Sequence, residues 1–351
     1  MKNDPKIILS RPKKVIFFLF NSVVLCLIFF LGAEIFVRSK GEEPFQKHRP
    51  DVQVEPGGKY FQKDKNLGYI HLPGEFKITI KDTFTFFTTH RKNTLRITHP
   101  PAADADFAQK DKIWIIGCSI THGWSLNDDE TYPWLLQEKI PHYEIINFGI
   151  SGYGTVHFLI QIEEALKTMK KPKLIILTYA SFHDTRNTFS LVRRRIVYEW
   201  NFLGPVTQPY ASLDQKGRLV LHQADDVVYS PWPFSSYSAL INYLEKKYIQ
   251  RVSSRLPHFA ITQALIERIK QRCEKESIPL IVAGIKDNPH HKMKKMLQAC
   301  DNLKIPTVDM SVDLTIKKYT NLPYDAHPSA LANQIYAQKL FLFLEQNKFL
   351  K

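Results

Sequence analysis

The chain has 351 residues and a formal net charge of +14, with 44% hydrophobic and 23% charged positions. This composition is typical of a folded protein with one large or two modest domains, and it excludes a disordered or collagen-like chain. Four cysteines in a chain of this length exclude a disulfide-stapled miniature scaffold. The positive charge alone is compatible with a nucleic acid, an anionic membrane surface or an acidic substrate as partner.

The first apolar segment is long enough to cross a membrane. Residues 15–33 carry no charge, and a helix of that length spans about 30 Å of hydrocarbon. We therefore expect a basic cytoplasmic tail over residues 1–14 and an uncleaved anchor over residues 15–36. A cleaved signal peptide is the alternative, although Leu31-Gly32-Ala33 fits the small-x-small cleavage pattern poorly. The cations next to the helix (Arg11, Lys13 and Lys14) place the N-terminus in the cytoplasm. The rest of the chain would then lie outside the inner membrane, in a periplasmic or other extracytoplasmic space.

The next segment, residues 37–111, is punctuated by proline and glycine, and alternating residues over 76–90 predict one or two strands. We expect a membrane-proximal segment with some β structure. From residue 112 short apolar strands alternate with helical stretches. The predicted strands are 112–117, 143–149, 173–179, 278–285 and 305–310, and the predicted helices are 131–140, 155–170, 259–275, 292–302 and 329–344. Apolar strands separated by helices predict an α/β fold, with a parallel sheet covered on both faces. Such a sheet carries its chemistry at the carboxyl ends of its strands.

An aromatic-rich stretch at about 186–258 interrupts this alternation and includes Arg193-Arg194-Arg195. A long insertion in an α/β domain is typical of a lid, a substrate groove or a partner surface, whereas its aromatic residues could also form a packed core of their own.

Two polar motifs fall at ends of these elements. Ser119 follows the first strand in Gly117-Cys118-Ser119, where a strand-to-helix turn exposes a hydroxyl and the helix offers backbone N–H groups. Asp325 and His327 lie on a loop before the last helix, close enough in sequence for the carboxylate to orient the imidazole. A serine nucleophile needs such a base and such an orienting group.

With a third motif, Asn147-Phe148-Gly149-Ile150-Ser151-Gly152, the order of these blocks resembles the SGNH (GDSL-type) hydrolases over residues 112–345. The resemblance implies a three-layer α/β sandwich with a mostly parallel, flavodoxin-like sheet, preceded here by one transmembrane helix. It implies Ser119 as nucleophile, His327 as base with Asp325 beside it, and the N–H groups of Ser119 and Gly152 as the oxyanion hole. It further implies a serine esterase or acyltransferase acting on O-acetyl or similar groups of cell-envelope carbohydrate. Membrane-anchored members of the family are most similar.

Three positions depart from the pattern of the family. Cys118 replaces the aspartate before the nucleophile, and Tyr324 stands where the Asp-x-x-His aspartate would be. His183 replaces the asparagine that donates to the oxyanion, and an imidazole N–H can fill that role. Asn187 is the alternative donor. These departures leave open a second function, a catalytically degenerate domain that serves as a scaffold in an envelope polysaccharide complex.

Other chemistries have less support. Cys118 could be a thiol nucleophile, but its side chain is expected to point into the fold. His290-His291, His183 and Asp184 lack the spacing of metal ligands, so we expect no metal and no cofactor. Cys273 and Cys300 are either a disulfide or two buried thiols. No motif for nucleic-acid recognition is present, so acylated carbohydrate and the membrane are the expected partners.

Overall fold

The computed structural model describes residues 11–47, 51–200, 203–204, 207–224, 229–286 and 292–350. This part of the chain forms two compact units. The small unit contains residues 11–47 and 229–253, and the large unit contains the other described residues. The aromatic-rich stretch is therefore divided between the units, since its last helix belongs to the small one.

The helices of the described residues are α1 (Arg11–Ser39), α2 (Asp104–Phe107), α3 (Ser119–His122), α4 (Tyr132–Lys139), α5 (Thr155–Thr168), α6 (His183–Asn187), α7 (Leu191–Trp200), α8 (Ala239–Ser253), α9 (His258–Lys275), α10 (Lys292–Asn302) and α11 (Ala330–Gln346). The strands are β1 (Val52–Glu55), β2 (Phe61–Asp64), β3 (Gly68–His71), β4 (Gly74–Ile80), β5 (Phe84–His90), β6 (Asp111–Ile116), β7 (Tyr143–Asn147), β8 (Leu174–Ala180), β9 (Gln208–Leu213), β10 (Leu219–Ala224), β11 (Leu280–Lys286), β12 (Thr307–Asp309), β13 (Thr320–Asn321) and β14 (Asp325–Pro328).

The small unit is built around α1. The Lys14–Ser39 portion of α1 has a mean hydropathy of 2.7 over its most apolar window, so this helix is long and apolar enough to cross a membrane. None of that window is buried inside the protein. Near its end the Glu34 carboxylate accepts hydrogen bonds from Ser238 Oγ at 2.7 Å and from the backbone N–H groups of Ala239 and Leu240 at 2.9 Å. These are groups that the first turn of α8 leaves unpaired, so Glu34 caps α8.

The large unit contains a five-stranded parallel sheet in the order β12-β11-β8-β6-β7. Numbered from β6, this is the 2-1-3-4-5 order of flavodoxin-like folds. Buried runs such as Ile113–Ile116 form its strands, because both faces of a parallel sheet are covered. The prediction of an α/β fold with a parallel sheet is confirmed, and each predicted strand and helix lies within two residues of the observed one.

Helices cover the central sheet on both faces. The chain runs from β6 to β7 in one direction along the sheet and from β7 through β8 to β12 in the other. Right-handed crossovers therefore place α4 on one face and α5, α9 and α10 on the other. α4 packs against α11, and α9 packs against both α5 and α10. This arrangement is the expected three-layer sandwich.

An antiparallel sheet, β1-β4-β5, precedes the parallel one in sequence and belongs to the same unit. It has its own small core of Tyr60, Phe76, Ile78, Ile80 and Phe86. Isolated bridges from His90 to Arg96 and from Arg96 to Asn147 connect its last strand to the end of β7. Within the expected membrane-proximal segment 37–111, residues 37–47 belong to the small unit and residues 51–111 belong to the large unit.

Candidate active site

Ser119 lies at the turn between the central sheet and a short helix. β6 ends at Ile116, and α3 begins at Ser119 after a two-residue turn. The turn requires glycine at position 117, because a Cβ atom there would lie 1.9 Å from Thr121 Oγ1 and 2.3 Å from Thr178 Oγ1. β6 is also the strand at which the strand order reverses. Open α/β sheets bind their ligands at the carboxyl ends of strands at that point.

The structure brings Ser119, His327 and Asp325 into one hydrogen-bonded chain. Ser119 Oγ lies 2.9 Å from His327 Nε2, and His327 Nδ1 lies 2.6 Å from Asp325 Oδ1. The carboxylate fixes the tautomer, because Nδ1 must carry the proton that it donates, which leaves the Nε2 lone pair facing the serine hydroxyl. The geometry is that of a nucleophile, a base and an orienting acid.

Asp325 is held in its ionised form. Burial by itself raises the pKa of this carboxyl, but hydrogen bonds and charge from His327, with a hydrogen bond from Ser125, outweigh burial and lower the pKa below its usual range. The backbone N–H of His327 donates to Asp325 Oδ1 at 2.8 Å, which closes a tight turn within β14. Asp325 is therefore a carboxylate at neutral pH and can stabilise an imidazolium at His327.

Two residues that the sequence analysis missed position this carboxylate. Ser125, just after α3, donates from Oγ to Asp325 Oδ1 at 3.2 Å. Asn321 on β13 donates from Nδ2 to both the carbonyl oxygen and the hydroxyl of Ser125 at 2.9 Å. These bonds connect the segment after α3 to the β13–β14 pair, which carries Asp325 and His327. Neither residue belongs to a motif, so no signal in the sequence could have found them.

The loop after β7 brings two glycines to the nucleophile turn. A Cβ atom on Gly149 would lie 2.2 Å from the backbone nitrogen of His122, so only glycine permits this approach. Gly152 has φ +83°, and a Cβ atom on it would lie 2.3 Å from Tyr69 Oη. Among the described residues, neither the Ser119 nor the Gly152 backbone N–H makes a hydrogen bond. Both N–H groups are therefore available as donors.

His183 lies at the start of α6, fully buried, and makes no hydrogen bond or ring contact with the triad in the described part of the chain. Its Nδ1 accepts a hydrogen bond from the backbone N–H of Ala180 at 3.3 Å, while its Nε2 has no partner among the described residues. Its ring packs edge-on against Phe158 and Phe182. Burial lowers the pKa of His183 well below the usual histidine value, so the ring is neutral.

Asn187, the alternative third donor, makes its hydrogen bonds elsewhere. Its Nδ2 donates to Thr262 Oγ1 at 2.8 Å, and its Oδ1 accepts from the backbone N–H of Val156 at 3.0 Å. The amide thereby holds the N-terminus of α5 to α9. It is a structural hydrogen-bonding residue in this arrangement.

The alternative reactive thiols are buried and lie outside the hydrogen-bonded chain of Ser119, His327 and Asp325. Cys118 is fully buried in the main core, as expected for a side chain that points into the fold. Cys273 and Cys300 are both free thiols, and burial raises the pKa of each to about 12. His290-His291 lie outside the described residues.

The buried side chain of Arg96 donates hydrogen bonds to the segment that follows α3. Arg96 Nε donates to Asp128 Oδ1 at 2.8 Å, and Nη1 donates to the carbonyl oxygens of His122 and Gly123 at 2.9 and 2.7 Å. Nη2 reaches the carbonyl oxygen of Leu126 at 2.7 Å. The planar guanidinium satisfies the backbone of the whole segment after α3. The sequence analysis missed this residue because it precedes the α/β region.

Comparisons with known proteins give similar folds only. No protein-family model and no curated protein matches the sequence. The solved structures with a similar fold include TesA (13% identity, 68% of this chain and 100% of that chain, TM-score 0.42), a lipolytic protein of the G-D-S-L family from Veillonella parvula (12%, 66% and 96%, 0.37) and AlinE4, an SGNH-hydrolase family esterase (15%, 68% and 94%, 0.35). Two of them carry the name of the family that the motifs resemble. All three TM-scores are below 0.5, so the case for the chemistry rests on the geometry of the triad.

Proposed function

We propose that the chain is a serine esterase or acyltransferase that uses Ser119, His327 and Asp325. The observation that carries the proposal is the continuous chain of hydrogen bonds from Ser119 Oγ to His327 Nε2 and from His327 Nδ1 to Asp325. A serine beside a histidine is common in proteins, but a partly buried carboxylate that fixes the tautomer of that histidine has a specific use. It prepares the imidazole to take a proton from the hydroxyl.

In the proposed reaction His327 Nε2 takes the hydroxyl proton as Ser119 Oγ attacks an ester carbonyl. The ionised Asp325 stabilises the imidazolium, and the N–H groups of Ser119 and Gly152 stabilise the tetrahedral oxyanion, each worth about 3 kcal/mol. The alcohol then leaves with the proton from His327, and an acyl-serine remains. Water releases the acid, or a sugar hydroxyl accepts the acyl group, with His327 as base in either case.

For the substrate we propose O-acetyl or similar esters on cell-envelope carbohydrate. α1 supports a location at a membrane, and basic residues at many positions of the chain suit an anionic glycan or lipid surface. The described cavities, of about 440 and 480 Å³, are lined by α4 with α11 and by β4 with β5. Neither is lined by a residue of the triad, so they do not bear on the choice of substrate.

The second candidate is a degenerate domain that serves as a scaffold in an envelope polysaccharide complex. It is favoured by one observation: His183 is packed among aromatic rings and Asn187 is bonded to Thr262, and among the described residues neither side chain makes a hydrogen bond to Ser119 or Gly152. Against it, the triad itself is complete in geometry.

Labelling with a fluorophosphonate probe distinguishes the two functions. We expect the full-length protein in detergent to be labelled at Ser119 and to hydrolyse a small acetyl ester. Ser119→Ala should lose both properties, whereas the matched control Ser311→Ala, on a loop outside the site, should keep both.

Unlabelled wild-type protein, or equal labelling of Ser119→Ala, would rule out the serine esterase and leave the scaffold. A cysteine-selective reagent that abolishes turnover would instead favour Cys118. Comparing the O-acetylation of envelope glycans in cells with wild-type protein and with Ser119→Ala then tests whether the acyl group is acetyl.

A further inference from the structure

Three buried histidines converge behind the nucleophile turn, outside the proposed triad. His71 ends β3, His90 ends β5 and His122 ends α3, and each is at most 3% exposed. One ring nitrogen from each lies within 4.8 Å of those of the other two. The rings of His71 and His90 are stacked with centroids 4.3 Å apart, and the His122 ring lies 4.4 Å from that of His71. The three imidazole rings are therefore packed against one another.

The hydrogen bonds of these rings are incomplete. His90 Nδ1 donates to the carbonyl oxygen of Leu72 at 2.9 Å, so its Nε2 carries a lone pair. That lone pair faces His122 Nε2 at 3.0 Å. His71 Nδ1 and Nε2 and His122 Nδ1 have no partner among the described residues. A buried polar atom without a partner costs about 1–3 kcal/mol, so a cluster with three of them needs another occupant.

The spacing of the donor atoms suits a metal ion. His90 Nε2, His122 Nε2 and Tyr60 Oη are separated from one another by 3.0, 3.2 and 3.3 Å. Two ligands of a tetrahedral zinc ion, each bonded at 2.0–2.1 Å, are about 3.3 Å apart. The bond from His90 Nδ1 to a backbone carbonyl is the outer contact that metal-binding histidines commonly make, because it orients the ring.

The charges around the cluster are compatible with a cation. Burial lowers the pKa of His71, His90 and His122 well below the usual value, so the imidazoles are neutral and keep their lone pairs. Arg96 is the nearby positive charge, and it is paired with Asp128 at 2.8 Å. Neutral imidazole is a good ligand for zinc, copper, nickel and iron.

We propose that His71, His90 and His122 bind one divalent transition-metal ion of the zinc type, with the phenolic oxygen of Tyr60 as fourth ligand. When that oxygen binds, the phenol releases its proton to solvent, which reduces the net charge of the site from +2 to +1. All four side chains are buried, so no coordination position is open to substrate. The ion is therefore structural. The ion connects β3 and β5, which belong to two different antiparallel sheets, to α3, the helix that begins with Ser119.

The test measures metal binding without reference to activity. Full-length protein in detergent is treated with EDTA, and aliquots are incubated with Zn²⁺ or Co²⁺, passed through a desalting column and analysed for metal by mass spectrometry. We expect about one ion per chain, a visible d–d absorption for the Co²⁺ protein, and a Tm higher than that of the EDTA-treated protein by roughly 5 °C.

Variants locate the ion. His71→Phe should abolish retention of the metal and the Tm difference, because phenylalanine fills the space beside Phe61 and provides no ligand. His222→Phe, which removes a partly buried histidine bonded to Ser212, should keep both. Wild-type protein that retains no metal, shows no Co²⁺ absorption and has the same Tm with and without Zn²⁺ would overturn the proposal, whether or not the variant folds. So would metal retention by folded His71→Phe.

Discussion

The imidazole of His183 stands where the motif resemblance predicts an amide that donates to the oxyanion. The ring is buried among Phe158, Tyr179 and Phe182, and no hydrogen bond between described residues joins it to Ser119 or His327. A residue without contact to the triad should contribute little to stabilising the transition state.

We therefore predict that His183→Asn keeps or raises esterase activity on a small acetyl ester. Kinetics of the purified variant, with its fold checked by circular dichroism, measures this. A loss of a thousandfold or more in kcat would contradict the prediction, because one oxyanion donor typically contributes about 10²–10³. Such a loss would show that His183 reaches the oxyanion in the substrate complex.

The neighbouring Asp184 shows how burial affects an acid that the proposed reaction does not use. Burial raises the pKa of this carboxyl to about 6, even though the hydroxyl of Tyr179 donates to it at 2.9 Å. Between the unfolded value near 3.8 and about 6, the folded state binds more protons than the unfolded state. The free energy of unfolding therefore falls as the pH rises through this range, and the total effect is about 3 kcal/mol.

Asp184→Asn should remove this loss of stability at higher pH, because asparagine does not ionise. We expect the variant to be more stable than wild type at pH 7, by up to about 3 kcal/mol, and to show no such gain below pH ~4. Denaturant unfolding across this pH range measures the difference. If the two proteins were equally stable at pH 7, or if the gain in stability did not change with pH, then ionisation of Asp184 would not destabilise the folded state, and the prediction would be wrong.

At the scale of elements, the loop between β7 and α5 depends on one backbone conformation. Gly152 has φ +83° and lies under the hydroxyl of Tyr69, and its carbonyl oxygen accepts a hydrogen bond from Arg193 at 2.7 Å. Gly217, in the β9–β10 hairpin, has φ +74°, but a Cβ atom on it would have nothing within 4 Å. Substitution at either glycine strains the backbone, because both have a positive φ. Only Gly152 would also clash with a neighbour, and only Gly152 has a proposed role in the oxyanion hole.

We predict that Gly152→Ala lowers both stability and kcat, whereas Gly217→Ala lowers stability alone, by about 1–2 kcal/mol from backbone strain. For Gly152→Ala we expect a loss of kcat of about 10²–10³, because its N–H is displaced from the oxyanion. Thermal unfolding and kinetics of both variants measure this. If Gly152→Ala kept full kcat while folded, Gly152 could not be an oxyanion donor.

The elements that could be predicted well are those with a local signal. Short apolar runs such as Ile113–Ile116, bounded by turn residues, are typical of buried strands, and Ser119, Asp325 and His327 lie at or near the ends of elements. The sequence did not show that β1, β4 and β5 belong to the same unit as the parallel sheet. Alternating apolar residues indicate that one face of these strands is buried, but they do not indicate which element covers that face.

Contacts between distant parts of the chain were not predictable in the same way. Arg96 and Ser125 act through backbone carbonyls and a single carboxylate, and neither has a motif. His71, His90 and His122 are separated by 19 and 32 positions in the sequence. They therefore lack a pair of ligands a few residues apart, which is the pattern by which metal-binding motifs are recognised. A fold is needed to bring such residues together.

At the scale of the whole molecule, we propose that α1 is an uncleaved anchor with the N-terminus in the cytoplasm. The final turns of α1 are packed in the small unit, where Val37 is buried and Glu34 caps α8. Removal of the helix after Ala33 would leave Glu34 at a free chain end and weaken that cap. This supports an anchor over a cleaved signal peptide.

We predict that protease added to cells with a permeable outer layer and an intact inner membrane digests the large unit. An N-terminal epitope tag should stay in the membrane fraction at the mass of an uncleaved chain. Immunoblots of the tag and of the C-terminus measure this. A large unit that stays protected until the inner membrane is opened would reverse the topology, and a tag lost from the mature protein would show cleavage.

The guanidinium of Arg96 has a practical consequence for anyone who prepares a shortened version of this protein. Motifs alone recommend a fragment that begins at residue 112, but such a fragment lacks Arg96 and leaves the Asp128 carboxylate and the carbonyl oxygens after α3 without their donor. Those groups lie directly behind Ser119. A fragment that begins at Phe30, about one helical turn before Glu34, keeps Arg96, the antiparallel sheet and the cap on α8, and it discards most of the apolar helix. That is the boundary at which a water-soluble, crystallisable form should be sought.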